Sequence, residues 1–190
     1  MPGDLFRTLD GHSVLLYGSD EPQLIDRAGM WLCEHLAREH PVLVAVTPAH
    51  YRAIVANLRR AGVDVGVMRR NGLFTSLDAA ALMRAVLESE EQVSWTVFDR
   101  TFGDLVRKLR ARGPLRIYGE IVGLLWANGK CEAALELEKL WNRLRKQVDF
   151  ELLCSYGIDV HGSEFATGSA AGVVRTHGSV MPLRSGDSSR

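Results

Sequence analysis

The chain alternates short apolar runs with longer segments whose apolar residues recur every three or four positions. The runs are bounded by turn residues and rich in branched and aromatic side chains, which predicts buried β-strands at 13–17, 42–46, 63–68, 115–118 and 152–156. Helical periodicity marks segments at 24–36, 51–58, 77–87, 97–112, 121–127 and 132–145. Strands and helices in alternation are typical of βαβ units. We therefore predict an α/β fold with a mainly parallel central sheet covered on both faces.

The length of 190 residues suits one domain, whose expected limits are set by changes in composition. Residues 1–10 form an N-terminal extension and residues 11–161 carry the alternating pattern. From residue 162 to residue 190 the chain is rich in Gly, Ser and Ala and has no sustained periodicity. We expect this segment to be a disordered tail, because it buries too little apolar surface to offset its ordering entropy.

Charge and cysteine content limit the classes of binding partner and the cellular compartment that we expect. Lys and Arg total 23, and Asp and Glu also total 23, so the balance gives no reason to expect direct nucleic-acid binding. The three cysteines lack a disulfide framework, which favours a reducing compartment. Neither a secretory signal pattern nor an apolar run of about 18 residues is present. We expect a cytoplasmic protein without a membrane segment.

The loop after the first strand has the wrong chemistry for a phosphate. Many α/β proteins cradle phosphate there with glycine-rich backbone and a Lys. The segment LLYGSDEPQLID has one Gly, no Lys in the turn, and two adjacent acids, Asp20 and Glu21. We therefore predict that the phosphate-binding loop is absent and that ATP does not bind there.

Polar residues at the strand ends are the candidates for a ligand site. Glu120 follows the strand at 115–118, at the edge where open α/β sheets bind ligands, and Tyr17 and Asp20 should share that edge. The alternative for Glu120 is a favourable interaction with the dipole of the helix that it begins. Glu138 borders the apolar face of its helix, where a buried hydrogen bond and a solvated position are both open interpretations.

His12 and Cys154 complete the candidate set, although no metal site is expected. They are a lone His and a lone Cys far apart in the sequence, whereas zinc needs three or four donors. His12 begins its strand, which places it about 16 Å from the carboxyl edge and away from Glu120. Catalytic motifs are also absent from the sequence, so we expect no enzyme activity and no cofactor.

Four sequence blocks carry a resemblance to a known family. They are HSVLLYGSDE at 12–21, GLFTSLDAAALM at 72–83, RIYGEIVGLLWANGKCEAALELEKLWNRL at 116–144 and FELLCSY at 150–156. Together they resemble the MEDS domain, a methanogen/methylotroph sensory domain named partly after a dichloromethane-responsive regulator. The third block is the most specific.

The resemblance implies a ligand-sensing input domain on a RecA-like three-layer scaffold without a phosphate-binding loop. It implies small, hydrocarbon-derived ligands and output through a histidine kinase or a transcription regulator. The positions that match recurrent residues of the family are His12, Tyr17, Asp78, Glu120, Glu138, Trp141, Asn142 and Cys154.

Three functions follow as hypotheses. The first is a non-catalytic sensory or regulatory domain of signal transduction that binds a small molecule and acts through a partner protein. The second is a degenerate RecA-like relative that still binds nucleotide. The third is a ligand-free interaction module, and homodimerisation remains open.

Overall fold

Six parallel strands form one central sheet in the computed structural model, which describes residues 11–89 and 92–183. The strands are β1 His12–Leu16, β2 Val42–Val46, β3 Phe74–Asp78, β4 Arg116–Gly119, β5 Glu151–Tyr156 and β6 Ser179–Pro182. Their order across the sheet is β3-β2-β4-β5-β1-β6. The predicted α/β architecture with a parallel sheet is therefore confirmed.

Helices lie on both faces of this sheet. They are α1 Glu21–Leu36, α2 Pro48–Arg60, α3 Val65–Arg70, α4 Ala79–Val86, α5 Trp95–Phe98, α6 Asp104–Arg110, α7 Ile121–Ala127, α8 Cys131–Arg145, α9 Ser163–Ala166 and α10 Ala171–Thr176. A π-helical turn, Asp99–Gly103, joins α5 to α6 inside the predicted helical segment 97–112. Within the described residues, no helix has both the length and the apolar character needed to cross a bilayer.

The sheet separates two apolar cores, which makes the fold three-layered. Side chains alternate along each strand, so Leu15 belongs to the core beneath α1 and α2, whereas Val14 and Leu16 belong to the core beneath α7 and α8. Both faces of the central strands are buried, which explains why β1 and β2 appear in the sequence as continuous apolar runs.

The predicted strand at 63–68 is wrong. Asp64 accepts a hydrogen bond from the backbone N–H of Val67 at 3.0 Å and caps α3. The third strand, β3, instead begins at Phe74, between the predicted strand at 63–68 and the predicted helix at 77–87. β3 is an edge strand with only one fully buried residue, so its apolar signal is weak.

The predicted disordered tail is also wrong for residues 162–183. This segment contains α9, α10 and β6, and β6 pairs with β1 so that Val180 lies opposite Val14. Its small residues serve close packing: a Cβ on Gly172 would lie 2.6 Å from a methyl carbon of Leu135 on α8. The expectations for residues 1–10 and 184–190 lie outside the described residues.

Candidate functional site

A buried carboxylate lies at the carboxyl edge of the sheet, between the end of β4 and the start of α2. Glu120 is 5% exposed. Its Oε2 accepts a hydrogen bond from the backbone N–H of Thr47 at 3.0 Å, and its Oε1 accepts from the Tyr118 hydroxyl at 3.0 Å and from His50 Nδ1 at 2.6 Å. Glu120 makes no side-chain cap bond to α7, the helix that it precedes. Its carboxylate therefore links β4 to α2, and helix capping does not account for its position.

Tyr118 extends this network to the next strand. Its own proton is donated to Glu120, so the Ser155 hydroxyl, 3.2 Å away, donates to the Tyr118 oxygen. Burial raises the pKa of Tyr118 well above its ordinary value, and the Glu120 charge raises it further. Tyr118 is therefore a neutral donor that holds the carboxylate in place.

His50 connects the buried carboxylate to the surface. Its side chain is 14% exposed, and its Nε2 lies 3.8 Å from a carboxylate oxygen of Glu21. The hydrogen bond to Glu120 raises the pKa of His50, against the opposing effect of burial. His50 also lines an open groove of about 550 Å³ between α1 and α2. The groove is further lined by Glu21, Pro22, Ile25, Asp26, Ala49, Ala53, Ala56 and Arg60.

Tyr17 and Asp20 lie near this edge, as predicted from the strand ends. Burial raises the pKa of Tyr17, and the charges of Glu120 and Glu21 raise it further. Asp20 is the N-cap of α1, where its Oδ1 accepts from the backbone N–H of Gln23 at 3.0 Å. An anion at this helix start would meet a carboxylate that already uses the amide, so the phosphate-binding loop is absent.

A second polar cluster lies within the core beneath α7 and α8, on the other side of the sheet. Glu138 on α8 is fully buried, and its Oε2 lies 3.0 Å from His12 Nε2 and 3.5 Å from Cys154 Sγ. Its Oε1 accepts from the Tyr156 hydroxyl at 2.8 Å and lies 3.1 Å from His177 Nε2. Sequence reasoning left open a solvated position for Glu138, and the structure shows the buried alternative.

Electrostatics in this cluster favour a charged carboxylate. Burial alone would raise the pKa of Glu138, but the imidazoles of His177 and His12 outweigh it and lower the pKa. Conversely, burial and the adjacent carboxylate raise the pKa of the Cys154 thiol well above its ordinary value. Without a cation the cluster thus holds a carboxylate beside a protonated thiol.

The described chain matches one family model over most of its length. The family is MEDS, described as the methanogen/methylotroph, DcmR sensory domain, and the match covers residues 11–178. The chain belongs to the MEDS family. No curated protein matched the chain. The MEDS match includes α9 and α10, so the domain extends beyond the predicted limit at residue 161.

The structure divides the six candidate residues of this MEDS domain between two places. Tyr17, Asp20 and Glu120 lie at the carboxyl edge, whereas the buried cluster contains the other three: His12, Glu138 and Cys154. His12 and Glu120 have different hydrogen-bond partners, and the predicted distance of His12 from the carboxyl edge stays a prediction.

Two histidines of the MEDS domain, His50 and His177, are absent from the candidates predicted from the sequence. His50 lies one turn into the helix after β2, and that position is a sequence signal for the carboxyl edge. His177 lay in the segment expected to be disordered, and no pattern there indicated its role. The premise that His12 and Cys154 are isolated donors is wrong, because Glu138 and His177 converge on them.

Proposed function

We propose that this MEDS domain is a non-catalytic sensor that binds a small molecule in the groove beside His50 and Glu120. The family is a sensory-domain family, which supports the sensory role. The observation that carries the location is the Glu120 carboxylate, which is buried at the carboxyl edge and joined to a partly exposed imidazole. Open α/β sheets bind ligands at this edge.

The groove offers complementary chemistry for a small polar organic molecule. His50 Nε2 and the Glu21 carboxylate supply hydrogen-bonding atoms at one end, while Ala53 and Ile25 supply apolar surface. The volume lies within the common range for ligand pockets of about 300–1,000 Å³. These features suit a small hydrocarbon derivative that carries one polar group.

A response follows if the ligand has different affinities for two arrangements of this edge. Glu120 joins β4 to α2 through Thr47 and His50, so a ligand that draws His50 toward the groove changes the position of α2. We propose that a signalling partner, such as a histidine kinase or a transcription regulator, recognises this change. The expected compartment is the cytoplasm, in keeping with three cysteines that form no disulfide.

The sensor proposal is tested by adding one-carbon probes, namely methanol, methylamine and dichloromethane, to the isotope-labelled protein. At least one probe is expected to shift the amide resonances of Thr47 and His50 in a saturable way. His50→Gln should weaken that binding about tenfold or more, whereas His161→Gln, at an exposed histidine, should leave it unchanged. Saturable binding that is identical in all three proteins would exclude the groove.

A protein-interaction module is the second candidate, and one observation favours it. In the described part of the chain, the enclosed apolar cavity beside Phe102 and Trp141 has only about 10 Å³, the room of about one water. A hydrocarbon does not fit there without rearrangement. If none of the probes binds, while a partner protein protects α1 and α2 from hydrogen exchange, the interaction module replaces the sensor.

Micromolar ATP binding by calorimetry would instead favour the nucleotide-binding alternative.

A further inference from the structure

Four buried side chains bring metal-binding atoms together on the side of the sheet opposite the proposed groove. They are His12, Glu138, Cys154 and His177, and their ligand atoms all lie within 4.8 Å of one another. His12 is on β1, Cys154 on β5 and Glu138 on α8, while His177 precedes β6. Each of the four is at most 8% exposed. The topology of the sheet, and no local sequence motif, creates this cluster.

Both histidines present Nε2 to the cluster because their Nδ1 atoms are occupied outside it. His177 Nδ1 lies 2.7 Å from the backbone carbonyl of Val173, which only accepts, so Nδ1 carries the proton. His12 Nδ1 lies 2.9 Å from Asn142 Oδ1. The amide of Asn142 donates to the carbonyl of Thr176 at 2.8 Å, which fixes Oδ1 as the acceptor facing His12. A fixed Nδ1–H is the usual arrangement of a metal-bound histidine.

The cluster has more acceptors than donors when the histidines are neutral. The two Nε2 lone pairs then face the oxygens of Glu138, and the donors are the Cys154 thiol and the Tyr156 hydroxyl. His177 Nε2 is fully buried, lies 3.1 Å from Glu138 Oε1, and has no partner in hydrogen-bond geometry. Native proteins seldom leave such a buried atom unsatisfied. Two states would satisfy these atoms: protonated histidines paired with Glu138, or a cation at the centre held by neutral histidines and the Cys154 thiolate.

The donor set selects the kind of cation. Two imidazole nitrogens, one thiolate and one carboxylate suit Zn²⁺ and similar transition metals, whereas Mg²⁺ and Ca²⁺ prefer oxygen ligands. With the thiolate and the carboxylate, a divalent ion gives a neutral buried unit. A tetrahedral zinc site has ligand–ligand distances of about 3.3–3.8 Å, from bond lengths of about 2.0–2.3 Å. Cys154 Sγ lies within this range, at 3.5 Å from both His12 Nε2 and Glu138 Oε2. The shorter distances from Glu138 to His12 Nε2, 3.0 Å, and to His177 Nε2, 3.1 Å, would lengthen when the ion binds.

We propose that His12, Glu138, Cys154 and His177 bind one divalent transition-metal ion, best matched by Zn²⁺. Four protein ligands leave no open position, which is typical of a structural site and not of a catalytic one. Binding requires the loss of the Cys154 proton to solvent, so that one S–H bond breaks and one metal–sulfur bond forms. The ion would fasten His177, and with it the start of β6, to α8 and the two neighbouring strands.

The test uses the full chain and the metals alone. The chelator-treated protein is titrated with Co²⁺, followed by displacement with Zn²⁺, and its metal content is measured by mass spectrometry. We expect one equivalent of Co²⁺, with the absorption of a tetrahedral ion and a sulfur-to-cobalt charge-transfer band. Asn142→Ala should lower the affinity about 10–100-fold, because Asn142 positions His12 without touching the metal.

Cysteine variants assign the sulfur ligand. Cys33→Ser/Cys131→Ser leaves Cys154 as the remaining cysteine of the chain and should keep the charge-transfer band. Cys154→Ser should lose the band. The matched histidine control is His35→Gln, since His35 is also buried and hydrogen-bonded to a backbone carbonyl but lies outside the cluster. This control should bind Co²⁺ as the wild type does.

The proposal is decided even if a cluster variant fails to fold. X-ray absorption of the wild-type zinc protein should show one sulfur and three nitrogen or oxygen neighbours. Failure of the wild type to bind either metal, zinc neighbours without sulfur, or a band that persists in Cys154→Ser would each overturn the proposal. The outcome is independent of ligand sensing, because the groove and the cluster lie on opposite sides of the sheet.

Discussion

Glu120 and Glu138 are the carboxylates that are buried within the described residues, and each has histidine as a neighbour. Glu120 lies beside His50, and Glu138 lies between His12 and His177. A buried carboxylate without such compensation is costly, since desolvation penalises its charged form. The pairing therefore explains why both acids are tolerated in a domain of ordinary composition.

Replacing Glu138 should destabilise the domain strongly. Glu138→Gln removes the charge that two imidazoles and the Tyr156 hydroxyl face, and we expect a loss of about 3–5 kcal/mol in the free energy of unfolding, measured by urea denaturation in chelator. The matched control is Glu136→Gln on the same helix, whose ion pair with Lys139 is largely exposed and contributes about 0–1 kcal/mol. Equal losses in the two variants would contradict this account.

The His50 contribution to stability should decline with rising pH. Its hydrogen bond to Glu120 raises the pKa of His50 above the ordinary 6.5, so the folded state holds this proton more tightly than the unfolded state. The contribution is complete below about pH 6.5 and is lost as the pH rises through the folded-state pKa. Urea denaturation of wild type and His50→Gln should therefore show a difference that shrinks as the pH rises above about 6.5.

The contribution of His35 to stability should change with pH in the opposite direction, so His35 serves as the control. Burial lowers the pKa of His35 from 6.5 to about 4, so the folded state binds this proton less readily than the unfolded state. Its neutral ring stabilises the fold above about pH 6.5, and the contribution falls between pH 6.5 and about 4. The difference in the free energy of unfolding between wild type and His35→Gln should therefore grow with rising pH. If it shrank with rising pH, as expected for His50→Gln, local electrostatics would not explain the pH dependence of either variant.

Individual residues could be predicted from the sequence only where position along a strand decides their neighbours. The end of β4 placed Glu120 at the carboxyl edge, and the start of β1 placed His12 away from it. The partners of Glu138 could not be predicted, because His12, Cys154 and His177 meet it through long-range packing and no spacing records that. The sequence therefore predicts which residues lie at the carboxyl edge, whereas the side-chain contacts of the buried cluster are seen only in the structure.

At the scale of elements, α7 packs so closely on β5 that one glycine is required. A Cβ on Gly123 would lie 2.3 Å from the backbone oxygen of Ser155. Gly123→Ala should therefore destabilise the domain by about 1–3 kcal/mol, although Ala is the better helix former. Thermal and urea denaturation measure the change.

Gly119 provides the control for this prediction. It ends β4, four positions before Gly123, and a Cβ there would meet nothing within 4 Å. We expect Gly119→Ala to change stability by no more than about 0.5 kcal/mol. If Gly123→Ala were equally harmless, α7 would have to stand farther from β5 than described.

The elements that the sequence predicted correctly are strands buried on both faces and helices with a regular apolar face. β1, β2, β4 and β5 have continuous apolar runs, and α8 has a regular apolar face. The misassigned region, at 63–78, lies at the sheet edge, where helix α3 and strand β3 are both short and half-buried. Periodicity over so few residues does not separate a helix from a strand.

For the whole molecule, the segment from α9 to β6 is part of the fold. Ala170, Val173 and Leu183 are buried, and β6 covers one edge of β1. A chain ending at residue 161 should therefore melt at a lower temperature and associate through the exposed β1 edge. Light scattering after gel filtration and thermal denaturation measure both effects.

A chain ending at residue 183 is the control, since it keeps all the described contacts of this segment. It should match the full chain in melting temperature and in the number of chains per particle. If the chain ending at 161 behaved in the same way, the C-terminal segment would be dispensable. The packing of this segment has no signal in the sequence, because small residues such as Gly172 stabilise by allowing close approach and leave no hydrophobic pattern.

β1 is the earliest strand of the sheet, yet its two neighbours, β5 and β6, begin only at Glu151 and Ser179. During synthesis β2, β3 and β4 can pair with one another while the apolar residues of β1 are still exposed. Such long-range closure slows folding. A nascent chain that ends before Glu151 therefore exposes an unpaired apolar strand, and we expect such a chain to aggregate more readily than the complete fold.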